Sequence, residues 1–437
     1  MITLDAAALG LTQESRLSGN RRLVWALLIL GTAFLLVPRV EGWTLLHVHK
    51  EDGIIFLADF VNDGWSSLFD PYTGYQHLVP RFIAGICASG PPEAFAACAG
   101  VGASLIRVTL AVVALAVLTP YARSPRWAAV AASAFIWAPV GQQEALANLT
   151  NLRWFLDAGA VLLLMGVWRR PSAIGIAALL AIGAAMSDPL AVVIAPLALW
   201  RLGVLSGRAR LVPAVFLASA MTHYLMLDRS ARTSQGSMYI DDPGDSSIQL
   251  LVRGIGVPVF GQNGTELLLI VGVPLAVLAV CVVLGVAVSS SAWSPTTAMA
   301  LILSVFGVGL LTVTLTFADM SALGLDPAWQ LGHGSRYSVA PGVLVAIGLV
   351  LVLSSALDRT EGILRLGVYA LLCAFPLAVL ADSPGDSWNT ADPTWAAELQ
   401  ASRLACAAGQ QSTRVQMTPA DVPMDWSADL RCDWLMR

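Results

Sequence analysis

The chain has 437 residues, length enough for two or three soluble domains, yet 57% are apolar and only 12% charged, about half the ~25% usual in soluble proteins. With 25 cationic and 29 acidic side chains and a mean hydropathy of +0.71 over 46.0 kDa, the surface of a soluble fold cannot be covered. The composition therefore specifies a polytopic membrane protein. The net charge of −4 lacks the basic footprint of a nucleic-acid binder. All cations but Lys50 are arginine, which at this level reads as a coding bias rather than a physical need.

Apolar runs able to cross ~30 Å of hydrocarbon as helix fall at 23–38, 100–119, 127–140, 155–168, 172–186, 189–203, 211–227, 265–288, 297–317, 337–357 and 363–381. The expected fold is an all-α bundle of about eleven spans. It divides into a tail 1–22, a membrane module 23–381 with a long first loop at 39–99, and a C-terminal segment 382–437. The stretch 172–203 breaks at Ser187-Asp188-Pro189 and is read as two spans. Arginine placement sets the orientation. With the N-terminus inside, Arg16, Arg21, Arg22, Arg123, Arg126, Arg169, Arg170, Arg201, Arg208, Arg210, Arg359 and Arg365 line the inner segments, against only Asp5, Glu14, Asp358 and Glu361. This predicts a multi-pass plasma-membrane protein with a cytoplasmic N-terminus and an extracytoplasmic C-terminus. No A-x-A site follows the first span, which reads as an uncleaved anchor.

Cys281 and Cys373 fall within spans. Cys87 and Cys98 fall in the first outer loop, and Cys406 and Cys432 in the outer tail, where disulfides persist. The pairing expected is Cys87–Cys98 and Cys406–Cys432, the alternative being four free thiols. The tail also holds four Trp and eight acids, the composition of a small capping module.

The first loop carries the strongest local pattern. At 100° per residue, Ile54, Leu57, Val61, Trp65 and Leu68 share one helix face, while Asp52, Asp59 and Asp63 lie within about 20° of the opposite direction. This predicts an interfacial helix presenting a row of carboxylates, with Glu51 beside Asp52 at its start; helix capping is the competing reading. The following segment packs Tyr75, His77 and Arg81 into a few residues. Aromatic faces and hydrogen-bonding side chains suit sugars, and the guanidinium fork suits phosphate. Further polar groups cluster at the ends of apolar runs: the amide-rich loop Gly141–Trp154 with Asn151 and Arg153, the carboxylate Asp188, and His333-Gly-Ser-Arg336-Tyr337. Asp188 also reads as a helix cap, and Arg336 as a lipid-headgroup anchor. Of the charges inside the runs, Arg107 and Asp157 are the two that lie clearly within spans, both in the outer half, and neither sits at the midplane, where a transporter would place its coupling site.

The stretch E-D-G-I-I-F-L-A-D-F…G-W-S-S-L-F-D-P-Y-T-G-Y-Q-H-L-V-P-R, the loop N-L-T-N-L-R-W-F and the motif H-G-S-R-Y before a late span together resemble bacterial members of the GT-C superfamily of integral-membrane glycosyltransferases. The resemblance covers residues 20–380. It implies a hexosyl- or pentosyltransferase with a polyprenyl-phosphate sugar as donor, a glycan or glycolipid as acceptor, and inversion at the anomeric carbon. A first-loop carboxylate would be the general base, Asp52 first and Glu51 second. Arg336 would lead the donor-phosphate contacts, followed by Arg153 and Arg81. Asp59, Tyr75, His77, Asn151, Asp188, His333 and Tyr337 would complete the substrate site. Members differ in their use of a divalent cation such as Mg or Mn; Asp52 and Asp59 are the carboxylates that could contribute to one. The alternatives are a transporter or flippase of a lipid-linked glycan and a non-enzymatic envelope assembly protein.

Overall fold

The computed structural model describes residues 10–15, 21–36, 44–137, 144–228, 243–317, 331, 335–382, 393–418 and 425–437. The described chain is mostly helical. Among these residues five helices are long and apolar enough to cross a membrane: Pro92–Leu118, Val273–Ser290, Pro295–Thr316, Ser335–Ala356 and Gly362–Asp382. The helix Val339–Ala356 is almost wholly buried and forms the axis of the core. It packs closely against Pro295–Phe317, because a Cβ on Gly348 would lie 3.0 Å from the Ala300 carbonyl and one on Gly307 3.1 Å from that of Pro341. Small residues at such crossings let membrane helices approach backbone to backbone. Outer helices instead expose apolar side chains, among them Leu278, Val282, Ile363, Leu366, Leu377 and Leu380, as a lipid-facing surface requires.

Other expected spans take the form of shorter helices, such as Arg21–Leu36, Leu152–Met165, Pro171–Ala185, Ala191–Val204 and Leu211–Leu225. At 1.5 Å per residue, the 14 residues of Leu152–Met165 extend only ~21 Å. The break at 187–189 does divide two helices. Two boundaries differ from expectation. The run 127–140 is interrupted at Ser133, between Pro125–Ala132 and Ala134–Trp137, where the hydroxyl bonds back to the Val130 carbonyl at 2.7 Å. The run 265–288 is broken at Gly272, whose φ of 152° ends Val257–Val271 before Val273–Ser290 begins. The segment between the runs 211–227 and 265–288, where no span is expected, is helical from Pro243 onward, with a π turn at Val252–Gly256. Asp382, expected to begin the tail, instead ends the helix Gly362–Asp382. It accepts from the Gln262 and Asn263 backbones at 2.6 and 3.1 Å, just after the non-helical Gly261.

Arg107 is a structural tie. It donates to the Phe135 and Ile136 carbonyls at 3.0 and 3.1 Å and stacks on Phe155, joining three helices. The loops fall into two bonded groups. In one, Arg201 holds the Leu11, Leu164 and Met165 carbonyls, Ser15 bonds Val167, and Arg123 pairs with Asp358. The other gathers the first loop, the 144–151 loop, Asp188, Arg336 and the tail.

The tail forms a folded cap. Helix Trp395–Ala407 is followed by an antiparallel pair, Ser412–Gln416 with Ser427–Arg431, and a short helix Cys432–Leu435. Trp395 and Trp434 donate to the Pro92 and Ala88 carbonyls at 2.7 and 2.8 Å, and Thr418 bridges to His49. Phe56, Leu57, Ala84 and Phe95 share one apolar cluster with Leu399, Val415, Leu430 and Trp434. Both expected cysteine pairs are at disulfide distance within this unit, with Cα separations of 5.6 Å for Cys87–Cys98 and 5.5 Å for Cys406–Cys432. Replacing Cys406 and Cys432 by serine should destabilise the cap by about 3 kcal/mol. The readout is faster hydrogen exchange at the Met417 and Thr418 amides, with Val350 unchanged; equal exchange at all three would refute it.

Candidate functional site

The site is built from the first loop upward. Tyr72 and Tyr75 pair across Thr73-Gly74, with backbone bonds of 2.9 and 3.3 Å. Thr73 and Gly74 both have positive φ, 51° and 83°, the geometry of a tight hairpin turn. The turn sets the two phenols side by side. His77 then stacks on Tyr75 with ring centroids 4.5 Å apart. Burial, reinforced by Arg153 and Arg81, pushes the His77 imidazole well below its ordinary value, so it is neutral. Burial followed by the charge of Glu51 raises the Tyr72 phenol, which remains a hydrogen-bond donor.

The helix that precedes this turn departs from the expected pattern. Asp52–Leu57 is a π turn, whose i→i+5 bonding shifts the phase away from 100° per residue. The row of exposed carboxylates therefore does not form: Asp52 is buried, Asp59 half-buried and Asp63 exposed. Asp52 faces the protein. Its oxygens accept from the Leu149 amide at 2.7 Å and from the Thr150 amide and hydroxyl at 2.8 and 2.6 Å. On another side lies a cavity of about 20 Å³, room for one water, lined by His47, His49 and Asn148. Asp52 thus fastens the first loop to the 144–151 loop.

Burial raises Asp52 from 3.8 to about 6, against the three hydrogen bonds that favour its ionised form. A carboxyl raised on folding contributes stability that is present below about pH 4 and lost as pH rises through about 6. The protein should therefore lose up to about 3 kcal/mol from this group between pH 4 and 7.5. Thermal unfolding across that range should show the loss, and Asp52→Asn should remove it; an unchanged pH dependence in the variant would contradict the assignment.

The 144–151 loop is held by its own amides. Asn151 Nδ2 donates to the Glu144 carbonyl at 2.8 Å, and the Asn151 backbone to Asn148 Oδ1 at 3.0 Å. Ala147 sits at φ 50°. Thr73 and Ala147 are the two non-glycine residues with positive φ among those described, and strain of this kind costs about 1–3 kcal/mol and gathers at working sites.

Two guanidinium groups follow. Arg153 Nη1 donates to Asp188 Oδ2 at 2.9 Å and to the Tyr75 hydroxyl, and stacks on Trp154. Asp188 also accepts from the Leu190 amide at 2.9 Å, so it caps a helix as well as pairing. Arg336 grips Glu144 twice, Nη1 to Oε1 at 3.0 Å and backbone N to Oε2 at 3.1 Å. Trp154 and Tyr337 meet edge to face at 5.5 Å between the two. The Trp154 indole N–H and Arg153 Nε are buried with no hydrogen-bond partner among the described residues.

Glu51 completes the cluster. Its charge reaches Lys50, Tyr72 and Arg336. Its buried Oε2 makes no hydrogen bond among the described residues and lies 3.4 Å from His49 Nδ1.

Of the residues singled out in the sequence, Glu51, Tyr75, His77, Asn151, Arg153, Asp188, Arg336 and Tyr337 converge here. Arg81 lies one step away, bonded to Asp59 Oδ2 at 2.8 Å and close enough for its charge to reach His77. Asp52 supports the site from behind, and His333 lies outside the described residues. Asp52 and Asp59 have separate partners, and among the described residues no three His, Cys, Asp or Glu side chains are grouped to hold a metal ion. Four residues absent from the sequence-based set join the cluster: Lys50, Tyr72, Glu144 and Arg253. Arg253 lies on the π turn Val252–Gly256, bonded to Gln249 Oε1 at 2.8 Å, and the charge of Glu144 reaches it. Compared with models of known protein families, with curated proteins and with solved structures, the chain matches none.

Proposed function

We propose that the protein is an integral-membrane glycosyltransferase of the GT-C type, moving a sugar from a polyprenyl-phosphate donor to an acceptor hydroxyl outside the cytoplasm, with inversion. The observation that carries this reading is the juxtaposition of Glu51, with an oxygen that makes no hydrogen bond among the described residues, and the Arg336 guanidinium at one cluster of phenols, imidazole and indole. A carboxylate able to take a proton beside fixed cations able to hold a phosphate is the pair that such a transfer needs. The proposed topology has about eleven spans, the N-terminus in the cytoplasm, and the first loop, the cluster and the tail outside. The two bonded groups of loops support it: Arg123 and Arg201 belong to one, and the acid-rich tail to the other.

In this mechanism Glu51 accepts the proton of the acceptor hydroxyl as its oxygen bonds to the anomeric carbon. The bond from that carbon to the phosphate oxygen breaks on the opposite face, and the departing polyprenyl phosphate keeps the electron pair. Arg336 and Arg153 offset the charge that develops on the phosphate. Tyr72, Tyr75 and neutral His77 present donors and faces to the sugar hydroxyls. Glu51 takes the role of base ahead of Asp52, whose oxygens are committed to the Leu149 and Thr150 donors.

Native mass spectrometry of the protein released from nanodiscs tests the donor class. A co-purifying polyprenyl phosphate or polyprenyl-phosphate sugar is expected. Phospholipid alone, even after the addition of polyprenyl-phosphate hexoses and pentoses, would count against the reading.

A further inference from the structure

Lys50 is the single lysine in a chain whose other 24 cations are arginine. That bias makes the exception informative, because arginine would serve wherever a surface charge sufficed. Lys50 is only 6% exposed. The charges of Glu51 on its own turn, Glu144 on the 144–151 loop and Arg336 all reach it, with His49 adjacent in sequence. The tail holds it from two sides. Its backbone N donates to the Thr418 carbonyl at 2.9 Å, and Thr418 N donates to Val48 O at 3.0 Å. Its ammonium lies 5.1 Å from the centre of the Trp426 ring, and Trp426 is itself fixed by Met417 and Gln416, which bond its carbonyl at 2.7 and 3.0 Å. Asp425, next to Trp426, is paired with Arg414.

Burial of an ammonium is unfavourable, and here burial lowers the proton affinity of Lys50 more than Glu51 restores it. A compact three-donor cation differs from a planar fork in what it can hold. We propose that the C-terminal cap is a working part of the site, in which Trp426 and Thr418 position Lys50 to contact the anionic group of the ligand between Glu51 and Arg336. This rests on the transferase reading for the identity of that group as a lipid-linked phosphate. Lys50 is then a ligand-contacting residue and Trp426 a positioning residue.

The single lysine makes the test direct, because amine-selective acylation followed by peptide mapping reports on one side chain. In the intact protein in nanodiscs, saturating polyprenyl monophosphate should slow acylation of Lys50 about tenfold or more, the scale of one charge-assisted contact. Lys50→Arg keeps the charge and should still lower transfer about tenfold or more. Trp426→Ala should raise the apparent KM for donor about tenfold with a smaller effect on kcat, and Trp426→Phe, which keeps a ring beneath the cation, should restore most of the loss. Acylation unaffected by polyprenyl monophosphate, or full activity of Lys50→Arg, would overturn the proposal. The acylation arm needs no variant, so a folding defect does not obscure it. If Glu51→Gln kept full activity while Lys50 was still protected, the base assignment would fail and the lysine site would stand.

Discussion

Glu51→Gln should lower sugar transfer by about 10²–10⁴-fold, the usual contribution of a positioned general base, while donor binding and thermal stability stay near wild type. The amide keeps the shape of the side chain and removes its ability to take a proton. Among the described residues its Oε2 makes no hydrogen bond and only the 3.4 Å contact with His49 Nδ1, so the substitution breaks no hydrogen bond at that atom. Asp52→Asn should behave in the opposite manner. One of the two oxygens that accept from Leu149 and Thr150 becomes an NH₂ facing a donor, which costs about 1–3 kcal/mol of stability. The neighbouring carboxylates thus separate by assay: one variant loses rate, the other loses stability. Full turnover by Glu51→Gln would end the assignment of Glu51 as base.

Arg336→Met should have the largest structural effect of the site variants. It removes the ion-pair partner of Glu144, whose side chain is 4% exposed, and breaking a buried pair by removing one partner costs about 3–5 kcal/mol. Lost activity in that variant would therefore mix lost folding with lost phosphate contact. Arg336→Met combined with Glu144→Gln resolves the two, since no charge is then left alone. The double variant should recover most of the melting temperature yet still fail to bind polyprenyl monophosphate. Recovery of both stability and binding would show that Arg336 serves Glu144 alone.

The helical membrane character and both cysteine pairs were legible because they depend on composition, segment length and compartment. Arg153, Asp188, Arg336 and Tyr75 were legible for a related reason: polar groups at the ends of apolar runs stand out. Phase was harder to read. The π turn at Asp52–Leu57 adds a residue to the turn and rotates Asp52 inward, a change that no 100° projection contains. Gly272 breaks a run that hydropathy treats as continuous, and the helical segment before it reaches back past the start of that run, to where Arg253 sits in a stretch with no apolar run to mark it. Glu144 was visible among its amides, but its importance comes from Arg336, 192 residues away. Lys50 carries no local pattern in the sequence, and the arginine bias around it is the signal that marks it.

The configuration of the product is the most direct test of the proposed sugar transfer from a lipid phosphate with inversion. Purified protein in proteoliposomes, given anomerically defined polyprenyl-phosphate sugars and glycan acceptors, should release polyprenyl phosphate in step with a glycoside of the opposite anomeric configuration by NMR. The same mixture with Glu51→Gln should form product at least about 10²-fold more slowly. Product of retained configuration, or no transfer from any such donor by well-folded protein, would contradict the account.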